Sequence, residues 1–228
     1  MVYTEENVRA CVRNRDGRRV FPLGADDRLT PAARDWLRSE NIPVVPTLSG
    51  SYTTLFGGEF ADKPEEMTHL CGNILVPKTH PRIAFRGLLD ALEAEILLCQ
   101  LAAGQELRQQ LQEMLDFVRS LIRADVLSEP VKETTLCGMD AATLREHSHH
   151  PEKYYGQPHF LPDSSDGAVL LQINRLRTLV RQAELTCCHA FADADGRCTR
   201  RDLVQALNRL SSLCWILMIR LRAAARRG

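Results

Sequence analysis

The stretch Val169-Leu-Leu-Gln-Ile-Asn-Arg-Leu-Arg-Thr-Leu-Val-Arg-Gln-Ala-Glu-Leu-Thr-Cys-Cys-His-Ala190 decides the fold. Its apolar residues Val169, Ile173, Leu176, Val180, Ala183, Cys187 and Ala190 step by four and three, so one helix face carries them all. Three further segments repeat the step. They are Phe85, Leu89, Leu92, Ile96, Cys99 and Ala103; then Leu111, Leu115, Val118 and Ile122; then Leu203, Leu207, Leu210, Cys214, Leu217 and Leu221. Gly104 separates the first two segments and Asp193-Ala-Asp-Gly196 the last two, with Thr199 expected as the N-cap of the final helix. Alternating steps of four and three describe a seam for left-handed packing. The expected fold is therefore all-α, an antiparallel four- or five-helix bundle.

Residues 1–60 read differently, as a small appendage and linker before a helical domain over 61–228. Val20-Phe-Pro-Leu predicts a short strand, and Thr30-Pro31 predicts the start of a helix running to about Glu40. Ile42-Pro-Val-Val-Pro predicts a second extended segment, giving a βαβ-like or irregular unit. The glycine-, serine- and threonine-rich tract from Leu48 to Glu59 reads as a linker. Between the two helical hairpins, about 128–165, lies a long insertion with a short helix expected after Asp140. His147, His149, His150 and His159 crowd it, and insertions of this length usually carry function.

An apolar content of 44% with 25% charged residues is ordinary for a globular chain of 228 residues. Zero net charge gives no long-range pull toward nucleic acid or an anionic membrane. The start Met1-Val-Tyr-Thr-Glu-Glu lacks a basic segment followed by an apolar run, so no secretion signal is expected. The apolar run Leu213 to Ile219 is far too short to span a bilayer. Eight cysteines without a C-x-x-C pair read as reduced thiols of a cytoplasmic protein.

Polar groups lie one step beside the apolar seams. Arg177, Arg181 and Glu184 fall at i, i+4 and i+7, and Asn208, Ser211 and Trp215 share a face of the last helix. Arg86, Asp90 and Glu93 flank the first helix, and Asp116, Arg119 and Arg123 the second. Any one stripe is explained by ion pairs flanking a bundle core. Two arginines beside an asparagine also suit polyphosphate, because a guanidinium pairs with phosphate oxygens through a fixed fork of donors.

These residues carry a family resemblance. Arg177-Thr178-x-x-Arg181-x-Ala183-Glu184 resembles the R-T-x-x-R-R-A-E-R signature of propanediol-utilization-type ATP:cob(I)alamin adenosyltransferases. Leu207-Asn208-Arg209-Leu210-Ser211 is similar to their L-N-R-L-S-D. Val76-Pro-Lys78, Arg82, Gly87 and Asp90 resemble their V-x-K…R…Y-G-x-x-D-E-L-N run, and Phe160-Leu-Pro162 stands at their F-x-L-P-G-G. The ethanolamine-utilization branch matches more closely. There the resemblance takes in Leu29-Thr-Pro-Ala-Ala-Arg34, Met67-Thr-His-Leu70, His80-Pro-Arg82, Phe85-Arg-Gly87, Ile122-Arg-Ala-Asp125 and Glu129-Pro130, and so nearly the whole chain. Three departures stand out. The glycine-rich T-x-x-G-D-x-G-x-T opening is missing, with only Thr68 and its surroundings to stand in. Gln182 and Leu185 replace two basic residues of the arginine signature. The H-x11-C-C-x-x-C motif of many ethanolamine-type members is absent, with no cysteine or histidine between Cys11 and His69. His69 and Cys71 alone do not make a tetrahedral site, so metal ligands stay unassigned.

The resemblance implies transfer of the 5′-deoxyadenosyl group from ATP to reduced cobalamin, releasing triphosphate, with Mg²⁺ alongside. Arg177 and Arg181 would face the triphosphate, with Lys78 as a point charge and Thr68, Arg82, Glu184 and Asn208 as further nucleotide contacts. Asp90 would pair with Arg177; if that pair is buried, losing Asp90 costs about 3–5 kcal/mol. Phe160 would be the apolar wedge that displaces the lower cobalt ligand, and His159 would line the corrin side. The resemblance also implies a homo-oligomer (a trimer by the propanediol type), a reductase partner, association with a bacterial microcompartment, and no nucleic-acid or membrane partner. Two rival readings are a non-catalytic adenosylcobalamin escort and a helical assembly scaffold.

Overall fold

The computed structural model describes residues 2–15, 18–24, 26–46, 52–133 and 135–226. Among them the chain is mainly helical but carries three small sheets, so the all-α expectation is corrected. By contacts the chain divides into two compact units, Met1–Ile83 with Arg123–Pro130, and Ala84–Ile122 with Val131–Gly228.

In the first unit β1 (Val2–Tyr3) leads into α1 (Glu5–Cys11), where Thr4 and Asn7 close a reciprocal capping box. The hairpin β2 (Arg13–Arg15) and β3 (Arg18–Leu23) follows, then β4 (Arg28–Leu29), which lies parallel to β1. Thr30 accepts from the Ala33 amide and Pro31 fills the first turn, so α2 (Pro31–Ser39) starts where the sequence places it. β5 (Val44–Pro46) then pairs parallel with β3, completing a β-α-β turn of chain. Residues 48–51 of the expected linker lie outside the described residues. Its remainder is not a linker: β6 (Tyr52–Thr54) and β7 (Glu59–Phe60) join β8 (Met67–Cys71) and β9 (Ile74–Pro77) in the order β7-β6-β9-β8. The glycines there serve a tight turn, with Gly57 at φ 88°.

A core of Tyr3, Val8, Phe21, Leu29, Leu37, Ile42, Leu70, Ile74 and Val76 ties these strands to α1 and α2. Asp125 is fully buried, and its carboxylate accepts from Arg82 Nε and Nη2 at 3.1 and 2.8 Å. Its carbonyl accepts from the same Nη2 at 3.0 Å, so the guanidinium clamps side chain and backbone together.

The second unit holds most of α3 (Pro81–Ala102) and α4 (Gln105–Val126), with α5 (Ala141–His149), α6 (Pro151–Tyr155), α7 (Ala168–Ala190) and α8 (Arg201–Ala225). Bonds from Arg119 to Glu93 and between Gln100 and Gln112 run in opposite directions along α3 and α4, an antiparallel hairpin turning at Gly104. Arg108 caps the carbonyls of Gln100 and Ala103 at the end of α3. The insertion is helical: α5 begins at Asp140 as expected, and α5 and α6 both pack on α8. In α8, Ile216, Leu217, Met218 and Ile219 are consecutively buried, as a helix covered on all sides over that turn requires. In the turn before it, Asp193 accepts from the amides of Asp195 and Arg197, and Gly196 has φ 76°. Arg200, not Thr199, is the N-cap of α8, because the Thr199 hydroxyl donates back to the Phe191 carbonyl.

Asp125→Ala leaves the Arg82 guanidinium half-buried without its carboxylate. Urea denaturation should show a loss of about 3–5 kcal/mol.

Candidate functional site

α7 and α8 bring the two polar stripes face to face. Near the turn, Asn208 Nδ2 donates to Glu184 Oε1 at 3.0 Å. Seven residues further along each helix, the Arg177 guanidinium carbon lies 5.7 Å from the centroid of Trp215. Two contacts with one common step show that the stripes oppose each other over two turns, with Arg181 between them on α7 and Ser211 and Ser212 between them on α8. The two helices pack directly on each other, which holds both contacts in place.

Arg177 has an unusual setting for a cation. Its Nε and Nη2 donate to the amide oxygen of Asn174, at 3.2 and 3.1 Å, one turn back on α7. Burial lowers its pKa, and the charge of Arg181 lowers it further. Half-removed from water, with an amide for acceptor and a second arginine one turn on, it favours an incoming anion. Arg181 is exposed and makes no hydrogen bond or ion pair among the described residues. Glu184 is half-buried, so its bond to Asn208 fixes the carboxylate beside this cationic strip.

The apolar half of the site is built on Trp215. Phe160 stacks on it with ring centroids 4.9 Å apart, and the His159 ring lies almost parallel at 5.7 Å. Arg222 covers the Phe160 ring, with its guanidinium carbon 4.1 Å from the centroid, and pairs with Asp166 at 3.0 Å. Both ends of this stack are therefore capped by arginines. Leu161, next to Phe160, is almost fully exposed.

The structure thus brings together Arg177, Arg181, Glu184, Asn208, Phe160 and His159. Thr68, Lys78 and Arg82 belong to the first unit: Thr68 is in β8, Lys78 is exposed just beyond β9, and Arg82 is held by Asp125. Asp90 is exposed and makes no ion pair with Arg177 among the described residues; the Arg177 guanidinium instead donates to Asn174. Two insertion histidines have local roles: His147 stacks on Tyr154 at 3.8 Å and bonds the Tyr155 hydroxyl, and His150 sits 3.8 Å from Glu146. Sequence reasoning missed Asn174, Asp166 and Arg222 as site residues. Asn174 and Arg222 carried a signal, at i−3 from Arg177 and i+7 from Trp215; Asp166 carried none. A cavity of ≈ 560 Å³, lined by Phe117, Leu136, Leu144, Ala206 and Arg209 among others, opens elsewhere on α8 and includes neither Arg177 nor Trp215.

The profile of the family described as cobalamin adenosyltransferase matches residues 60–221. The corrinoid adenosyltransferase EutT of Escherichia coli strain K12 is 30% identical over 223 residues, covering 86% of this chain and 84% of that protein. The corrinoid adenosyltransferase EutT of Salmonella typhimurium strain LT2 matches with the same identity and coverage.

Asn174→Leu removes the acceptor that holds the Arg177 fork. Thermal unfolding should report a loss of about 1–2 kcal/mol, the scale of one hydrogen bond to a partly solvated charge.

Proposed function

The chain belongs to the cobalamin adenosyltransferase family, and from that premise we propose that it transfers the 5′-deoxyadenosyl group of ATP to the cobalt of a reduced corrinoid. The observation that carries this reading is the junction of an arginine strip with an aromatic platform along one helix pair. A phosphate chain and a flat, largely apolar macrocycle need those two surfaces side by side.

Reduced cobalt is itself a strong nucleophile, so no general base is required. The protein's work is to place the 5′ carbon in line and to neutralise the triphosphate as it leaves. Arg177, pre-set by Asn174, and the uncommitted Arg181 take the phosphates. Asn208 and Glu184 fix the nucleoside end. Arg82 acts through its clamp on Asp125 rather than by touching substrate. Phe160 faces the lower side of the corrinoid as the wedge, with His159 beside it. Among the described residues no three His, Cys, Asp or Glu side chains converge to hold a metal; Mg²⁺ carried by the triphosphate needs no such cluster.

The four long helices are read as an antiparallel bundle, with residues 61–228 as the catalytic domain and 1–60 as its appendage. Exposed Leu97, Leu98 and Leu101 on α3 support a homo-oligomer, for which a trimer is the first expectation. No helix is long and apolar enough to cross a membrane. We place the activity in the cytoplasm in ethanolamine utilization, in or beside a microcompartment and fed by a reductase. An escort or scaffold role is not favoured, because neither needs cations poised for a triphosphate.

Incubation with ATP, Mg²⁺ and chemically reduced cobalamin should produce the light-sensitive spectrum of adenosylcobalamin. Tight corrinoid binding without product would instead identify an escort. Arg181→Ala should lower kcat about 10²-fold, the scale for loss of one donor to developing charge. Phe160→Ala should slow adenosylation of cob(II)alamin supplied with a reductant at least about tenfold more than that of preformed cob(I)alamin, a difference of about 1.4 kcal/mol in barrier. Equal slowing would remove the wedge role.

A further inference from the structure

Cys11, the last residue of α1, and Cys71, the last residue of β8, lie sixty positions apart in the chain, yet their Sγ atoms are 3.1 Å apart. Cys11 is buried and Cys71 is half-buried, so one thiol of the pair is open to a reagent and the other is sheltered behind it. β8 has an irregular register between His69 and Cys71, just where Cys71 meets Cys11. The adjacent Gly72 has φ 50°, and a Cβ there would come within 3.0 Å of the Tyr3 hydroxyl.

A second observation stands beside the pair. Arg13 is only 7% exposed, and its buried Nε has no hydrogen-bond partner among the described residues. The charges that act on its guanidinium are those of Cys11, Cys71, Tyr3 and Glu59, and Arg82 also acts on Cys11. A buried cation with an unused donor beside two thiols favours a thiolate among them. The hydrogen bond between the thiols raises the pKa of Cys11, and burial raises it further.

We propose that Cys11 and Cys71 are a reversible dithiol–disulfide couple that accepts oxidising equivalents from a small disulfide such as oxidised glutathione and, when oxidised, ties α1 to the end of β8. The half-buried Cys71 attacks first as thiolate. It bonds to one sulfur of the small disulfide and expels the other half as a thiolate. Cys11 then loses its proton to that departing thiolate or to water and attacks Cys71 Sγ, expelling the second half. Two protein thiols and one small disulfide become one protein disulfide and two small thiols. The sulfurs must close from 3.1 Å to about 2.05 Å, a movement within reach of side-chain rotation.

The test uses the full chain in an equimolar mixture of reduced and oxidised glutathione, quenched in acid, alkylated with N-ethylmaleimide and peptide-mapped. The expected product is a linked Cys11–Cys71 peptide with the other six cysteines alkylated. Cys11→Ser should abolish the link and leave glutathione on Cys71. Arg13→Gln should slow iodoacetamide labelling of Cys71 roughly threefold to tenfold by removing thiolate character. Alkylation of both Cys11 and Cys71 in the wild type, or a link from Cys71 to another cysteine, would overturn the proposal.

Discussion

Everything at the candidate site depends on the close antiparallel contact of α7 with α8. When two helices run in opposite directions, a residue moved seven places down one meets a residue moved seven places up the other. Glu184 with Asn208 and Arg177 with Trp215 are related in this way. The polar stripes lie at the edge of the apolar seam, so burying the seam forces the stripes into register. Packing and chemistry are thus set by one arrangement: the seam that joins the two helices also determines how far a guanidinium sits from an indole.

The same arrangement explains what makes Arg177 distinctive. A cation in a bundle usually finds a carboxylate. Here its partner is an amide, its neighbour is another arginine, and its guanidinium carbon lies over an aromatic ring. None of these neighbours cancels its charge. The glutamate on the same stripe is bound to Asn208, so the positive field of the strip is left for an incoming anion.

The helical part of the fold was legible because period and burial agree: Ile173, Leu176, Val180, Ala183 and Cys187 are all buried, as are Leu203, Leu207, Leu210, Cys214 and Leu217. Thr30-Pro31 and Asp140 announced their helices through capping chemistry that is local in the chain. The strands of 52–77 were obscured by glycine and threonine, whose pairing partners come from elsewhere in the sequence. Thr199 fitted a cap by type, yet its hydroxyl has a better acceptor across the turn. At the site, residues on α7 and α8 could be read from spacing alone. The Asp166–Arg222 pair and the approach of Phe160 to Trp215 could not, because they depend on how an insertion returns to the helices.

The enclosure of α8 over Ile216–Ile219 has a consequence for time as well as for place. Backbone amides on a helix with so deeply buried a turn exchange with solvent only in large openings of the unit, whereas a segment held by surface contacts opens far more often. Asn208 and Trp215 ride on the slow element; His159 and Phe160 arrive on a stretch between α6 and α7 with exposed Leu161 in its midst. The indole is therefore a stationary anvil, and the phenyl ring lying on it belongs to the part of the molecule with the shorter memory.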